Sequence, residues 1–530
     1  VVTTRPENYT RYGNYGVLLA GLLSLAPLSP ALAGPDASPG TLSDLTLQDA
    51  VRLALENNLG AKVERVNTAI TEERVIQAAA GFEPVLSLSA RYESNEKPQN
   101  TREFVATSNS EAPREDRIFV EDNWLFSTSV KGKSPIGTEY EFVVELNELR
   151  NTLNINSPPS QFYPEYESFA GLRLTQPLLR DFGTGVQLAG LRVARREKNL
   201  AELGWKLKVE QTVAGVMKSY YDLVFAHQDA AIKADNIQRA KQLETENKKR
   251  LEQGVGNQLD VQQAAVAASV REEELIVAQY QALEKRSLLL RELVSDLDPT
   301  AIPEIRPDHR LKGEAPGLDR AALMEAAFAN RLEYQSAKLQ LEKQEIVIKF
   351  AKNQVWPRLD LVGSLGANGL DSGGGSAVED ALDGSTPAWS AGVMVTVPLG
   401  NRAARSKLRE TMREKEQLLL NFKQLEIDLA LQVEMAAARV ETSGRRLSTA
   451  RASLGASQTT LDAELKRLSE GVGVSFNVLE AQKDVASAGT RELAARADLN
   501  KALVDLWLST GTLLEREGIS LDETAPIAAK

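Results

Sequence analysis

Apolar residues follow two different rhythms in this chain, and the rhythms alternate along it. Leu200, Leu203, Leu207, Ala214, Met217, Tyr221 and Val224 recur at about 3.5-residue spacing, and Leu418, Phe422, Leu425, Leu429, Val433, Ala436 and Val440 at close to 3.6. A narrow stripe of this kind on a polar background marks a helix that buries one seam against a partner helix. The pattern predicts helices over about 45–81, 186–253 and 257–296, and again over about 318–356, 401–470 and 474–515. At 1.5 Å per residue the two longest would each extend roughly 100 Å. No compact globular domain has room for them.

Between the helices the period drops to two. Leu86, Leu88, Ala90 and Tyr92 alternate with Ser87, Ser89 and Arg91, and Tyr140, Phe142, Val144 and Leu146 with Glu139, Glu141 and Glu145. Trp389, Ala391, Val393, Val395 and Val397 alternate with Ser390, Gly392 and Thr396. Strands with one apolar and one polar face suit a membrane barrel, with lipid outside and water inside, and equally a half-buried sheet of a soluble protein. The second half supplies two strands, near 358–366 and 388–397. The first supplies two or four, since 124–131 and 139–147 read as a further hairpin about Ser134-Pro135-Ile136-Gly137. Residues 98–121 and 367–388 are polar or rich in Gly and Asp, as surface connections are. Four to six strands cannot close a barrel, and open edges in lipid leave backbone groups unpaired at several kcal/mol each. A membrane sheet of this size would have to be completed by other copies.

The two halves repeat one design. Asn57 in LALENNLGAKV aligns with Asn330 in EAAFANRLEYQSA, and Pro84 in EPVLSLSARY with Pro357 in WPRLDLVGSLG, both at an offset of 273 (357 − 84). TQPLLRDFG (175–183) then matches TVPLGNRAA (396–404), setting Pro177 against Pro398 at an offset of 221 (398 − 177). RLEQGVGNQLDV (250–261) matches RLSEGVGVSFNV (467–478) at 217 (467 − 250). The same order in both halves makes these short matches a repeat. The shrinking offset puts about 50 extra residues between the prolines of the first half, in line with an added hairpin. In each glycine stretch, Gly254 and Gly471 suit the left-handed position that ends a helix, and Gly256 and Gly473 allow the chain to reverse. Val255 and Val472 are held between them.

Composition narrows the function. The chain has 530 residues, no cysteine, a net charge of −11 and a pI near 5.2, so disulfides, thiolate sites and a nucleic-acid footprint are excluded. Arg5 and Arg11, the apolar Gly16–Leu28 and Ala31-Leu32-Ala33 have the order of a secretory signal peptide over 1–33. No later apolar run reaches the roughly 18 residues that a membrane helix needs. His227 and His309 stand outside any metal-ligand spacing, and no phosphate loop, dinucleotide fingerprint or nucleophile motif occurs. The chain reads as a non-enzyme with no cofactor and no metal.

In this order of helices, strands, proline junctions and glycine turns the chain resembles the TolC family of outer-membrane efflux and secretion channels, from about Leu45 to Leu514. The resemblance implies a mainly α fold with membrane β: a long α-helical periplasmic barrel and a β-barrel shared between the protomers of a homotrimer. It implies a first repeat over 34–317, a second over 318–515 and a tail over 516–530. It implies outer-membrane lipid, a periplasmic adaptor (membrane fusion) protein and an inner-membrane pump of RND, ABC or MFS type as partners, with no nucleic acid. Gly254, Val255, Gly256, Gly471, Val472 and Gly473 would then be the tips that receive the adaptor, and Pro177 and Pro398 the strand-to-helix junctions. Asp260, Asn477 and Glu480 would face the entrance. The founding member has acidic residues at the positions of Asn477 and Glu480 and a locking arginine at that of Gly473, so a six-carboxylate ring falls to three here. A pore-free exported adaptor or coiled-coil filament is the rival reading. It would be released without detergent.

Overall fold

Each half of the chain opens with a helix that breaks once and restarts. The computed structural model describes residues 45–101, 103, 118–152, 154, 161–296, 302–308 and 311–519. The expected leader at 1–33, His309 and the end of the tail lie outside them. Helix α1 (Leu47–Asn57) is capped by Thr46, whose hydroxyl accepts the Asp49 amide at 3.1 Å. Asn58 leaves helical geometry at ψ 116°, and its side-chain oxygen accepts the Ala61 amide at 3.1 Å, which starts α2 (Leu59–Ala80). Strands β1 (Val85–Pro98), β2 (Ile118–Lys133), β3 (Glu139–Leu149) and β4 (Glu165–Pro177) follow. The half ends with the 64-residue α3 (Ala189–Glu252) and α4 (Gln258–Leu293).

The second half has α5 (Arg320–Asn330), α6 (Leu332–Gln354), β5 (Arg358–Asp371), the short α7 (Gly374–Asp383), β6 (Pro387–Thr396), the 68-residue α8 (Arg402–Ser469) and α9 (Ser475–Thr510). The continuous helices expected over 45–81 and 318–356 are therefore each two helices. Arg331 stands where Asn58 does, at the same repeat offset of 273 (331 − 58), with ψ 121°. In both cases the breaking residue keeps its amide on the carbonyl one helical turn back, at 2.8 Å for Asn58 and 3.0 Å for Arg331. The apolar period is hardly disturbed, which hides the break from a pattern reading. Helix α7 likewise stands in what the sequence pattern reads as plain connection.

Helices α3 and α4 form one antiparallel hairpin and α8 and α9 another, and α9 packs along α3. The seam residues converge midway. Val213, Met217, Tyr220, Leu223 and Val224 of α3 meet Leu289 and Leu293 of α4, Val440 of α8 and Leu499, Leu503 and Leu506 of α9 in one buried cluster. The short helix α1 closes it through Val51 and Ala54, and the Tyr220 hydroxyl donates to the carbonyl of Leu45 at 2.9 Å. Leu200, Leu203 and Leu207, higher on α3, are only half-buried within one chain.

All six strands form one antiparallel sheet in sequence order, so the first half contributes four. The register sets Leu86, Val130, Phe142, Leu172, Leu365 and Trp389 in a single row across it. The opposite face pairs Lys131 with Glu141 at 3.0 Å, Arg173 with Glu145 at 2.8 Å and Ser364 with Ser390 at 2.8 Å. Ser129 and Val143 on that polar face are buried, whereas Trp124, Phe126 and Phe142 on the apolar face are exposed. The sheet curls around its polar side. Among the described residues, strands β1 and β6 each have one unpaired edge.

The Arg331 break places a charge cluster inside the helical packing. Its guanidinium donates to the C-terminal carbonyls of α9 at Leu508 and Ser509, both at 3.3 Å, and to Glu333 at 2.8 and 3.0 Å. Glu210 of α3 lines the same cavity, which holds about 560 Å³, and is only 3% exposed. Burial pushes its carboxyl up to about 7, with the charge of Glu333 adding to the effect and Arg331 opposing it. The folded chain then binds more protons than the unfolded one between about pH 4.5 and 7, so stability falls as pH rises through that window. Glu210→Gln is expected to raise stability above pH 7, by at most about 3 kcal/mol, and to give no gain below pH 4.5. Thermal unfolding at pH 4 and pH 8 checks this.

Candidate functional site

Both glycine stretches are helix hairpin tips with the same backbone. Gly254 (φ 74°) and Gly471 (φ 78°) are left-handed. The Val255 amide reaches the Arg250 carbonyl at 3.0 Å and Gly254 that of Leu251 at 3.0 Å; Val472 and Gly471 repeat the pair on Arg467 and Leu468 at 3.0 and 3.2 Å. This double bond pattern satisfies the last carbonyls of α3 and α8. A Cβ on Gly256 would lie 2.6 Å from the Leu251 nitrogen, and one on Gly473 2.7 Å from that of Leu468, so both positions admit only glycine without a shift. The next helices start differently. The Asn257 side chain accepts the Leu259 amide at 3.0 Å, whereas Val474 opens α9 with no side-chain cap.

The tips present apolar side chains to solvent. Val255 is 76% and Val472 69% exposed, and Leu259, Val474 and Phe476 are exposed beside them. Asn477 and Glu480 share one exposed face of α9, three residues apart, and Lys483 pairs with Glu480 at 3.4 Å. Asp260 is half-buried in the first turn of α4, and its carbonyl accepts from Asn247 at 3.2 Å. The three entrance candidates are thus not alike: Asn477 and Glu480 are open, while Asp260 is part of the hairpin's own packing.

Residues that join the two tips escaped the sequence reading. Arg250 donates to the Leu468 carbonyl at 3.2 Å, and buried Asn247 accepts from the Ser475 hydroxyl at 2.9 Å. Buried Arg271 of α4 reaches the Leu479 carbonyl and the Gln482 side chain of α9, each at 2.9 Å. Around these bonds Leu243, Ala264, Leu461, Leu468, Val478 and Leu479 form a small apolar cluster. Arginine in a polar helix is ordinarily surface, and nothing in the local spacing of Arg271 distinguishes it.

At the other end, Pro177 closes β4 opposite Asp360, and Pro398 follows β6. Asn353 of α6 binds both the Asp181 amide (2.7 Å) and the Leu179 carbonyl (3.0 Å), and Asn401 donates to the Val355 carbonyl at 2.7 Å. Each strand-to-helix junction is tied to the end of α6. His227 lines a cavity of about 650 Å³ between α3, α8 and α9, and no cluster of metal-ligating side chains occurs among the described residues.

Residues 323–512 match the family of outer membrane efflux proteins. The chain is 22% identical over 345 residues to the outer membrane efflux protein BepC of Brucella suis, covering 65% of this chain and 72% of that one. Its fold is that of solved outer-membrane channels. It superposes on CmeC of Campylobacter jejuni with a TM-score of 0.61 at 15% identity, over 93% of this chain and 95% of that one. With the open state of MtrE of Neisseria gonorrhoeae the TM-score is 0.60 at 15% identity, over 91% and 94%.

Replacing Arg271 by Ala leaves a buried carbonyl and amide without their donor, a loss of about 1.5–3 kcal/mol for a charged hydrogen bond. Amide exchange over 250–260 and 467–480 is expected to accelerate by roughly ten- to a hundredfold, while exchange in the Val213–Leu503 cluster is unchanged. Hydrogen-exchange mass spectrometry reads both.

Proposed function

We infer, for a chain whose second half matches the outer membrane efflux proteins and whose fold is that of solved outer-membrane channels, that it is the outer-membrane exit duct of a tripartite efflux pump or type I secretion system. The sheet carries this reading: its apolar face is exposed along the row from Leu86 to Trp389, its polar face is curled inward, and both its edges are open among the described residues. Three copies would join β1 of one to β6 of the next and close a barrel of eighteen strands. The helical hairpins would form the tube leading to it through the periplasm.

Substrate would enter at the tips. Val255 and Val472, with the exposed Leu259, Val474 and Phe476, offer an adaptor an apolar surface on each hairpin. Glu480, repeated by threefold symmetry, would ring the entrance with carboxylates and favour cations, an effect its Lys483 neighbour weakens. Asn477 adds no charge. The duct performs no chemistry, so the energy and most of the substrate choice belong to the pump.

Cryo-electron microscopy and single-channel recording on protein extracted from outer membranes test the reading together. A threefold tube with eighteen strands and a cation-selective conductance that Glu480→Gln brings closer to unselective is the expected result. A detergent-free soluble rod without conductance would overturn it. In the same system, the paired change Val255→Asp and Val472→Asp should leave the trimer intact but abolish co-purification with the adaptor.

A further inference from the structure

Helix α7, in the β5–β6 connection, lies against the apolar face of the sheet. Its Gly374 sits where a Cβ would be 3.2 Å from both the Leu146 side chain and the Tyr166 ring. The Ser168 hydroxyl donates to the Ala377 carbonyl at 2.5 Å, and a Cβ on Gly369 would collide with that same carbonyl. Leu146, Ser168 and Gly369 are opposite one another across β3, β4 and β5, an even number of residues from the row containing Phe142, Leu172 and Leu365. Two-residue alternation puts them on the same face. Where α7 rests, this face changes from Leu, Val, Phe and Trp to Ser168, Ala170, Ala367 and Gly369, and the helix answers with Gly374, Ala377 and Ala381. Small residues on both sides let the two backbones approach.

The helix has a second apolar surface that the sheet does not use. Leu382, one turn from Val378, is 68% exposed on the flank of α7. Beside it a groove of about 520 Å³ runs between the helix and the sheet, floored by Val130, Phe142 and Val144 and walled by Ala381 and Leu382. Glu379, Asp380 and Asp383 are exposed on the rest of the helix. The groove continues into the bare apolar row, where Phe142 is 54% and Leu365 65% exposed. In water an exposed leucine at the mouth of an apolar groove is unfavourable; in hydrocarbon it is the favoured arrangement.

We propose that α7 and the groove beside it seat one acyl chain of an outer-leaflet lipid, clamping it against the barrel wall. This rests on the reading of the sheet as a membrane barrel. Its level agrees: β5 leaves the helical tube at Arg358, and α7 packs about ten residues further on, roughly 30 Å along the strand. With the strand tilt usual for barrels that is a height of roughly 25 Å, the far boundary of an outer-membrane apolar band. The apolar flank would face the chains and the acidic residues the headgroups.

Because the chain has no cysteine, single cysteines can carry a nitroxide label at chosen sites. Leu382→Cys, Glu379→Cys and Leu365→Cys, each in the full-length protein in phosphatidylethanolamine–phosphatidylglycerol vesicles, would be probed with oxygen, which concentrates in the bilayer, and a water-soluble nickel chelate. The label at 382 should match that at 365, oxygen-rich and nickel-poor, and the label at 379 should favour nickel severalfold. Adding Gly369→Val should drive α7 off the sheet and move the label at 382, but not that at 365, toward nickel. A nickel-rich label at 382 beside an oxygen-rich one at 365 overturns the lipid seat and leaves the barrel standing. Nickel-rich labels at both sites overturn the barrel and the seat together.

Discussion

The two unpaired edges of the sheet govern the rest of this molecule. Inside a bilayer no water is available to satisfy the free amides and carbonyls of β1 and β6, and each would cost several kcal/mol. One chain with six strands therefore cannot hold its own sheet in lipid. Its apolar row from Leu86 to Trp389 adds the same demand from another side, since Leu86, Phe142, Leu365 and Trp389 in it stay exposed. Closure by identical copies would answer both and would fix the hairpins around a common axis. The half-buried Leu200, Leu203 and Leu207 fit this picture, because the seam of α3 extends beyond the packing that one chain supplies.

Duplication gave the two halves one plan, and the departures from it show where each half has a separate task. Asn58 caps its own helix, while Arg331 at the equivalent place reaches across to the C-terminus of α9, where cationic charge is favoured by the helix dipole. That choice brings Glu333 with it and leaves Glu210 buried beside the pair. At the tips, the backbone turns are the same but the caps are not: Asn257 closes the start of α4, and Ser475 turns its hydroxyl to Asn247 of the other hairpin. At the second tip Val474 takes the place of Asn257 and caps nothing, while Ser475 beside it bonds to the first hairpin.

Long-range periodicity made much of this legible from sequence. Two long seams, the two-residue strand rhythm and the paired glycines each arise from local geometry, so helices, strands and tips could be placed within a few residues. The strand count stayed open because a hairpin such as β2–β3 has the same local pattern whether or not it joins the main sheet; only its pairing with β1 and β4 decides. The breaks at Asn58 and Arg331 were hidden because one extended residue barely shifts the apolar phase. Arg271 and Asn247 were hidden for a different reason. Gln482 and Ser475, their partners, belong to the other half of the duplicated chain, and no spacing on their own helices records them.

Geometry also gives the added hairpin a physical purpose. Next to the sheet each chain contributes four helical segments, α2, α3, α6 and α8, so a trimer would have twelve. Helices packed 9–10 Å apart make a ring roughly 110 Å around. Twelve strands at about 4.8 Å and a tilt of about 40° would close at roughly 75 Å, well short of that ring, whereas eighteen close at roughly 110 Å. Six strands per chain would therefore let barrel and tube meet with nearly equal girth. The β2–β3 turn sits at this seam, where the Gly183 amide binds the Ile136 carbonyl at 2.9 Å just before α3 begins. A duplicated chain with only two strands per half would have to taper its tube or over-tilt its strands at that point. The extra pair would remove the mismatch at its source.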